Sequence, residues 1–206
     1  MIIAIHQPEH FPYAGFFQKM EACDLFVILD DVQFTKNHFQ NRNRFLNKNN
    51  IEEWFTIPIP SSSNTKLIKD IMILDQSNWQ KKITTKILQN LKIDVSEVYK
   101  TSNNLLHLNM ASINFIRQKL SIDTPMIFSS TLNIESKKSS RLLDICKNLN
   151  ATTYISGRGG IDYLEQDLFI KNNIELKIFN PQVKDYYTTL SHLNNYENIR
   201  NISRHT

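Results

Sequence analysis

Four apolar residues in a row, Ile2-Ile3-Ala4-Ile5, lead directly into His6-Gln7-Pro8-Glu9-His10-Phe11-Pro12. A strand that does not alternate polar and apolar residues is buried on both faces, as in the interior of a parallel sheet. Pro8 and Pro12 keep the next residues out of helix. A second apolar run, Leu25 to Leu29, breaks in the same way into Asp30-Asp31-Val32-Gln33-Phe34-Thr35-Lys36. Two buried strands that end in polar clusters predict an α/β domain with its site at the strand ends.

The last third follows the same grammar. Met126-Ile127-Phe128 ends in Ser129-Ser130, a helix is expected over Lys137 to Leu149, and Thr152 to Ile155 ends in Ser156-Gly157-Arg158-Gly159-Gly160. A helix over Ile161 to Lys171 and a strand over Ile174 to Phe179 complete the pattern. Strand and helix in alternation predict a three-layer α/β fold with a mostly parallel, Rossmann-like sheet. Right-handed crossovers then bring the loops after Phe128 and Ile155 to one edge, together with His6 and Asp30.

Between these parts, a helix follows Gly15 over Phe16 to Ala22. Residues 35 to 50 read as a long loop or broken hairpin, and Trp54 to Pro58 as a strand. Ser61 to Asn64 is expected as a turn and Ile71 to Ile73 as a short strand. Trp79 to Leu91 and Leu105 to Leu120 carry apolar residues at helical spacing and form a small helical insertion over about 79–120. Residues 1–190 are expected as a single domain and 191–206 as a polar, mobile tail.

At 206 residues, with 41% apolar and 21% charged residues, the chain has mass for a sizeable core. Its formal charge of +4 is spread along the sequence rather than blocked, which permits nucleic-acid binding but does not argue for it, and no nucleic-acid partner is expected. The excess of Asn, Ile and Lys reads as genome bias. Cys23 and Cys146 lack metal-type spacing and read as helical core residues of a reduced protein, so a cytoplasmic location and no metal site are expected. Neither an export signal nor a transmembrane segment is expected.

His6, directly after a buried strand, suits a general base or a phosphate contact. His10 cannot stack on His6 in zinc-helix fashion because of the prolines, and is a substrate-binding candidate. Asp30 suits orienting His6, holding a substrate hydroxyl or amine, or coordinating Mg²⁺, with an Asx-turn cap as the plain alternative. Gln33 and Lys36 follow at a spacing that faces the same cleft. Arg42 and Arg44, alternating on an extended segment, suit a clamp on one anion. Ser129, and Ser156 with Gly157 and Arg158, suit a phosphate cradle at a helix start, although a left-handed turn explains the glycines equally well. Arg141 and Lys137 oppose the dipole of their helix unless an anion is bound there. No serine sits in a GxSxG elbow. Trp54, Trp79 and Tyr13 serve either as stacking platforms or as core.

The run Ile5-His6-Gln7-Pro8, Phe11-Pro12-Tyr13, Gly15-Phe16-Phe17-Gln18-Lys19, Asp24, Leu29-Asp30, Val32-Gln33-Phe34, Lys36 and Asn41-Arg42-Asn43 resembles the WbqC-like protein family. Trp79, Ser129-Ser130, Arg141-Leu142, Tyr154-Ile155-Ser156-Gly157 and Tyr163-Leu164 extend the likeness over about residues 2–190. The resemblance implies bacterial surface-polysaccharide (O-antigen) and nucleotide-sugar chemistry. It also implies a shared polar set of His6, Gln7, Asp30, Gln33, Lys36, Asn41, Arg42, Ser156 and Gly157. An aromatic residue is usual where His10 stands, and an apolar closing segment is usual after Tyr187.

The leading expectation is transfer of an acyl or aminoacyl group, from an acyl-thioester donor or carrier protein, to the amine of a nucleotide-linked amino sugar. His6, Asp30, Gln7 and Lys36 are its catalytic set. His10, Gln33, Asn41, Arg42, Arg44, Ser129, Arg141, Ser156, Gly157 and Arg158 bind substrate, and a homo-oligomer is a further expectation. The alternatives are a nucleotidyltransferase or adenylate-forming enzyme using ATP with Mg, and a non-catalytic sugar-nucleotide binder.

Overall fold

A computed structural model describes residues 1–75, 78–161 and 164–195. In chain order its elements are β1 (Ile2–His6), α1 (Ala14–Glu21), β2 (Leu25–Ile28), β3 (Arg42–Leu46), β4 (Glu52–Thr56), α2 (Trp79–Leu91) and α3 (Leu105–Leu120). There follow β5 (Met126–Phe128), α4 (Lys138–Asn148), β6 (Thr153–Gly157), α5 (Arg158–Ile161), α6 (Gln166–Ile170) and β7 (Glu175–Phe179). They fall into two compact units. The first is Met1–Gln7, Gly15–Asp30 and Asp123–Gln182; the second is Pro8–Ala14, Asp31–Ile122 and Val183–Thr206.

The first unit is an α/β fold. Its five strands lie in the order β5-β2-β1-β6-β7, and every neighbouring pair is parallel. Counted within the sheet this is 3-2-1-4-5, the doubly wound Rossmann-type order, with its switch point between β1 and β6. The non-alternating runs hold the centre: Ile3 and Ala4 of β1 and Phe26, Val27 and Ile28 of β2 have no exposed surface. Ile3, Ile5 and Val27 share a core with Leu143, Ile145, Cys146, Tyr154, Phe169 and Ile174, so the apolar side of α4 is what the sheet buries. Cys146 is in that core, while Cys23 lies just beyond the end of α1.

The helix expected over Ile161 to Lys171 is instead two short ones, α5 and α6. Glu165 before α6 has φ −75° and ψ 84°, outside the helical region, so one continuous helix cannot form. The strand before it continues through Ser156 and Gly157, which pair with Ile178 and Phe179 of β7.

In the second unit, residues 42 to 56 are a regular antiparallel hairpin of β3 and β4, with Arg44 opposite Trp54. The Asn-rich composition obscured it, because the buried inward positions are Asn43, Phe45 and Phe55 while the other face mixes Arg42, Arg44, Glu52 and Thr56 with Leu46 and Trp54. Residues Ser61–Thr65 form a 3-10 turn. No strand spans Ile71 to Ile73; Met72 makes only an isolated bridge to Asn104. α3 starts at Asn104, whose side chain accepts the His107 N–H at 3.2 Å as an N-cap. The remote end of the chain folds to Asn195 as the 3-10 helix Thr189–Asn195; the rest of the expected tail lies outside the described residues.

Asparagine also has a backbone role here. None of the glycines has positive φ, whereas Asn37, Asn50, Asn78, Asn133, Asn150 and Asn173 do. Asn tolerates the left-handed region better than other side chains do, so part of the Asn excess is turn chemistry.

Candidate functional site

In the first unit all five strands point the same way, so their carboxyl ends share one edge. Register places His6 beside Ile28, and Ile28 beside Phe128. His6, Asp30, Ser129 and the Ser156-Gly157-Arg158 segment therefore lie at or just beyond the ends of neighbouring strands. His6 Nδ1 lies 3.0 Å from the Gln7 carbonyl oxygen. Its ring meets Phe16 edge-on at 4.9 Å and stacks on Phe26 at 6.5 Å.

Asp30 is buried, and its carboxylate is held by three donors. Oδ1 accepts the Ser129 hydroxyl at 3.1 Å and the Ser130 N–H at 3.0 Å, and Oδ2 accepts the Ser130 hydroxyl at 2.7 Å. The pair of serines thus joins the end of β2 to the end of β5.

Ser156 is buried with its hydroxyl 3.2 Å from the Gly157 carbonyl oxygen. A Cβ at Gly160 would stand 2.5 Å from that hydroxyl, whereas at Gly157 and Gly159 it would meet nothing within 4 Å. None of these glycines has positive φ, so they do not form a left-handed turn, and α5 is a single turn with little dipole to hold an anion. Arg158 is exposed, and its Nε donates to Asn180 Oδ1 at 2.6 Å. Arg141 is largely buried and donates to the carbonyl oxygens of Ile134 and Ser136. Its position explains the basic residue near the start of α4 without a bound anion.

One residue the site reading passed over belongs to this edge. Lys19 on α1 is 3% exposed, with Nζ 3.4 Å from the Ile5 carbonyl oxygen and 5.9 Å from the Phe26 ring centre. The signal was a lysine on the apolar side of α1, between the buried Phe16, Phe17 and Met20.

In the second unit, His10 is in the core. It has no exposed surface, packs among Phe11, Phe55 and Tyr99, and bonds the Tyr99 hydroxyl through Nε2 at 2.8 Å. Burial pulls its pKa down to about 3, against a smaller upward pull from Asn109. His10 is thus a neutral ring where the resemblance implies an aromatic one, and no ligand reaches it. Asn41 is likewise committed inside: its amide donates to the Ile57 carbonyl at 3.2 Å and its oxygen accepts the Asn37 N–H at 3.0 Å. Gln33 is exposed and donates to the Asn64 carbonyl at 2.6 Å; Lys36 is half-buried.

The loop at residues 8–13 is buried, and polar side chains meet its backbone. Asn43 donates to the His10 and Phe11 carbonyls at 3.1 and 2.8 Å, Asn109 to the Pro8 carbonyl at 3.2 Å, and Thr189 to the Pro12 carbonyl at 2.7 Å. Tyr13 stands at its end, its hydroxyl pKa pushed up to about 12 by burial and then by the charges of Glu9 and Tyr186.

Arg42 and Arg44 do share a face. Arg42 lies 4.3 Å and Arg44 5.1 Å over the Trp54 ring, and Arg44 also faces Tyr187 at 5.6 Å. Trp54 is thus a platform, while Trp79 is buried against Tyr99.

The WbqC-like protein family model matches residues 7–198. The chain belongs to the WbqC-like protein family. A relative is the uncharacterized protein Rv1507c of Mycobacterium tuberculosis (strain ATCC 25618 / H37Rv). It is 26% identical over 188 residues, which cover 86% of this chain and 81% of that protein. No solved structure matches. Residues of both units fall inside the WbqC-like match. Among the described residues of this WbqC-like chain, no helix is long and apolar enough to cross a membrane.

Proposed function

We propose that the chain transfers an acyl or aminoacyl group to the amine of a nucleotide-linked amino sugar in surface-polysaccharide biosynthesis, with His6 as general base. The observation that carries this reading is the 3.0 Å contact from His6 Nδ1 to the Gln7 carbonyl oxygen. A carbonyl oxygen only accepts, so Nδ1 holds a proton, and in the neutral tautomer this leaves Nε2 as the basic nitrogen. Phe16 and Phe26 fix the plane of the ring. The ring also stands beside the switch point, where doubly wound sheets take their ligands.

In this reading the sugar amine attacks the carbonyl carbon of an acyl thioester. As the N–C bond forms, the amine proton passes to His6 Nε2; the C–S bond then breaks and the thiolate leaves with that proton. Gln7, next in the chain, supplies an amide to the oxyanion. Asp30, held by Ser129 and Ser130, stands at the end of the neighbouring strand.

The test is mass spectrometry of nucleotide amino sugars incubated with acyl thioesters and the protein. The wild type is expected to form acylated sugar, and His6→Ala to lose about 100-fold or more of the rate with its fold intact. A folded His6→Ala within two-fold of the wild type would overturn the base assignment. ATP consumption with pyrophosphate release and no acylated sugar would mark nucleotidyl transfer instead.

A further inference from the structure

We propose that the outer face of the β3–β4 hairpin is a phosphoryl-anion site that takes the diphosphate of a nucleotide, with Arg42 as its receptor. Arg42 and Arg44 alternate on β3 and so share one face, where register sets Arg44 across from Trp54 and Arg42 across from Thr56. Both guanidinium groups lie over the same indole, at 4.3 and 5.1 Å.

Their charges are not equally met. Glu52 Oε2 pairs with Arg44 at 3.0 Å, and Glu52 Oε1 accepts the Trp54 indole N–H at 2.8 Å. One carboxylate thus locks the floor and neutralises one arginine, which Tyr187 covers at 5.6 Å. Arg42 makes no ion pair among the described residues. Two guanidinium groups on one ring with a single counter-charge leave a fixed excess of positive charge.

The stack also restrains Arg42. Its Nε is buried and makes no hydrogen bond, so recognition falls to the two terminal nitrogens. A guanidinium packed 4.3 Å over an indole gives up rotamer freedom before a ligand arrives, which favours bidentate binding of a phosphate. Trp54 and Tyr187 add aromatic surface for the rest of a nucleotide.

The choice of nucleotide rests on the proposed function; the anion site rests on the hairpin alone. Isothermal titration with UDP, GDP, ADP, CDP and dTDP, each beside its nucleoside, separates the two. At least one diphosphate is expected to bind, its nucleoside at least ten-fold more weakly. Arg42→Ala is expected to lose at least ten-fold in affinity, and Arg42→Lys several-fold because an ammonium cannot fork. Thr56→Glu, which keeps both arginines and sets a carboxylate opposite Arg42, should compete with the ligand and weaken binding too. No binding of any diphosphate, equal binding of the nucleoside, or full affinity in folded Arg42→Ala and Thr56→Glu would overturn the site. Those results with acylated sugar still formed would leave the catalytic reading standing; diphosphate binding without acyl transfer would do the reverse.

Discussion

Asn43 Nδ2 lies 2.8 Å from the carbonyl oxygen of Phe11, a buried aromatic residue with φ of 44°. A bulky residue at positive φ costs on the order of 1–3 kcal/mol and persists only where its surroundings hold it. Here the Phe11 N–H donates to Ser112 Oγ at 3.0 Å and the carbonyl also accepts from Thr188 Oγ1 at 2.7 Å. Asn43→Ala strips one donor from two buried carbonyls, so it is expected to destabilise the protein by about 1–3 kcal/mol. Urea unfolding reads this directly. A change under about 0.5 kcal/mol would mean the strain is held by Ser112 and Thr188 alone.

His10 makes stability depend on acid. Its folded pKa is about 3 against an ordinary 6.5, because burial penalises the imidazolium. The unfolded chain therefore binds the extra proton first. The contribution is complete above about pH 6.5 and is lost as pH falls toward 3, amounting to about 2 kcal/mol by pH 5. His10→Phe should unfold with a shallower pH dependence across that window. An unchanged slope would remove His10 as the cause.

Both thiols are expected to be slow toward alkylating agents at pH 8. Burial pushes Cys23 up to about 11 and Cys146 up to about 12, and the thiolate is the reactive form. Iodoacetamide labelling read by mass should be low in native protein and complete in urea. Fast native labelling of Cys146 would show that α4 opens readily.

Gly160 and Ser156 are expected to be coupled. In Gly160→Ala the new methyl lies 2.5 Å from the Ser156 hydroxyl, which must turn away from the Gly157 carbonyl inside a buried site. A loss of about 1–2 kcal/mol is expected, largely recovered in the double variant with Ser156→Ala. Gly157→Ala and Gly159→Ala have open space and should be close to neutral in stability. Additive effects of the 156 and 160 changes would show that the two do not meet.

The sheet was legible because its signals are local. Ile2 to Ile5 and Leu25 to Leu29 are apolar without alternation, and Pro8 and Asp30 mark where they stop. The hairpin was only half legible, as a long loop or broken hairpin beside a strand at Trp54, since Asn43 reads as a loop residue until its amide is seen to serve two loop carbonyls. Arg42 and Arg44 were rightly put on one face by the two-residue period of a strand, but the indole beneath them is set by cross-strand register. His10 and Asn41 looked like ligands because a polar side chain in a polar run gives no sign of its burial.

By itself, then, the sequence determined the α/β class, the parallel strand order's polar edge and the family, all carried by short apolar runs and a long amino-terminal signature. Only the tertiary structure decided which polar residues work inside the protein. Asp30, Asn41, Asn43, Arg141 and His10 are used to satisfy buried carbonyls, hydroxyls and backbone N–H groups. Their partners lie up to 100 residues away in the chain. Burial makes an unmet polar group costly, and which groups are buried depends on contacts that no local stretch of sequence contains.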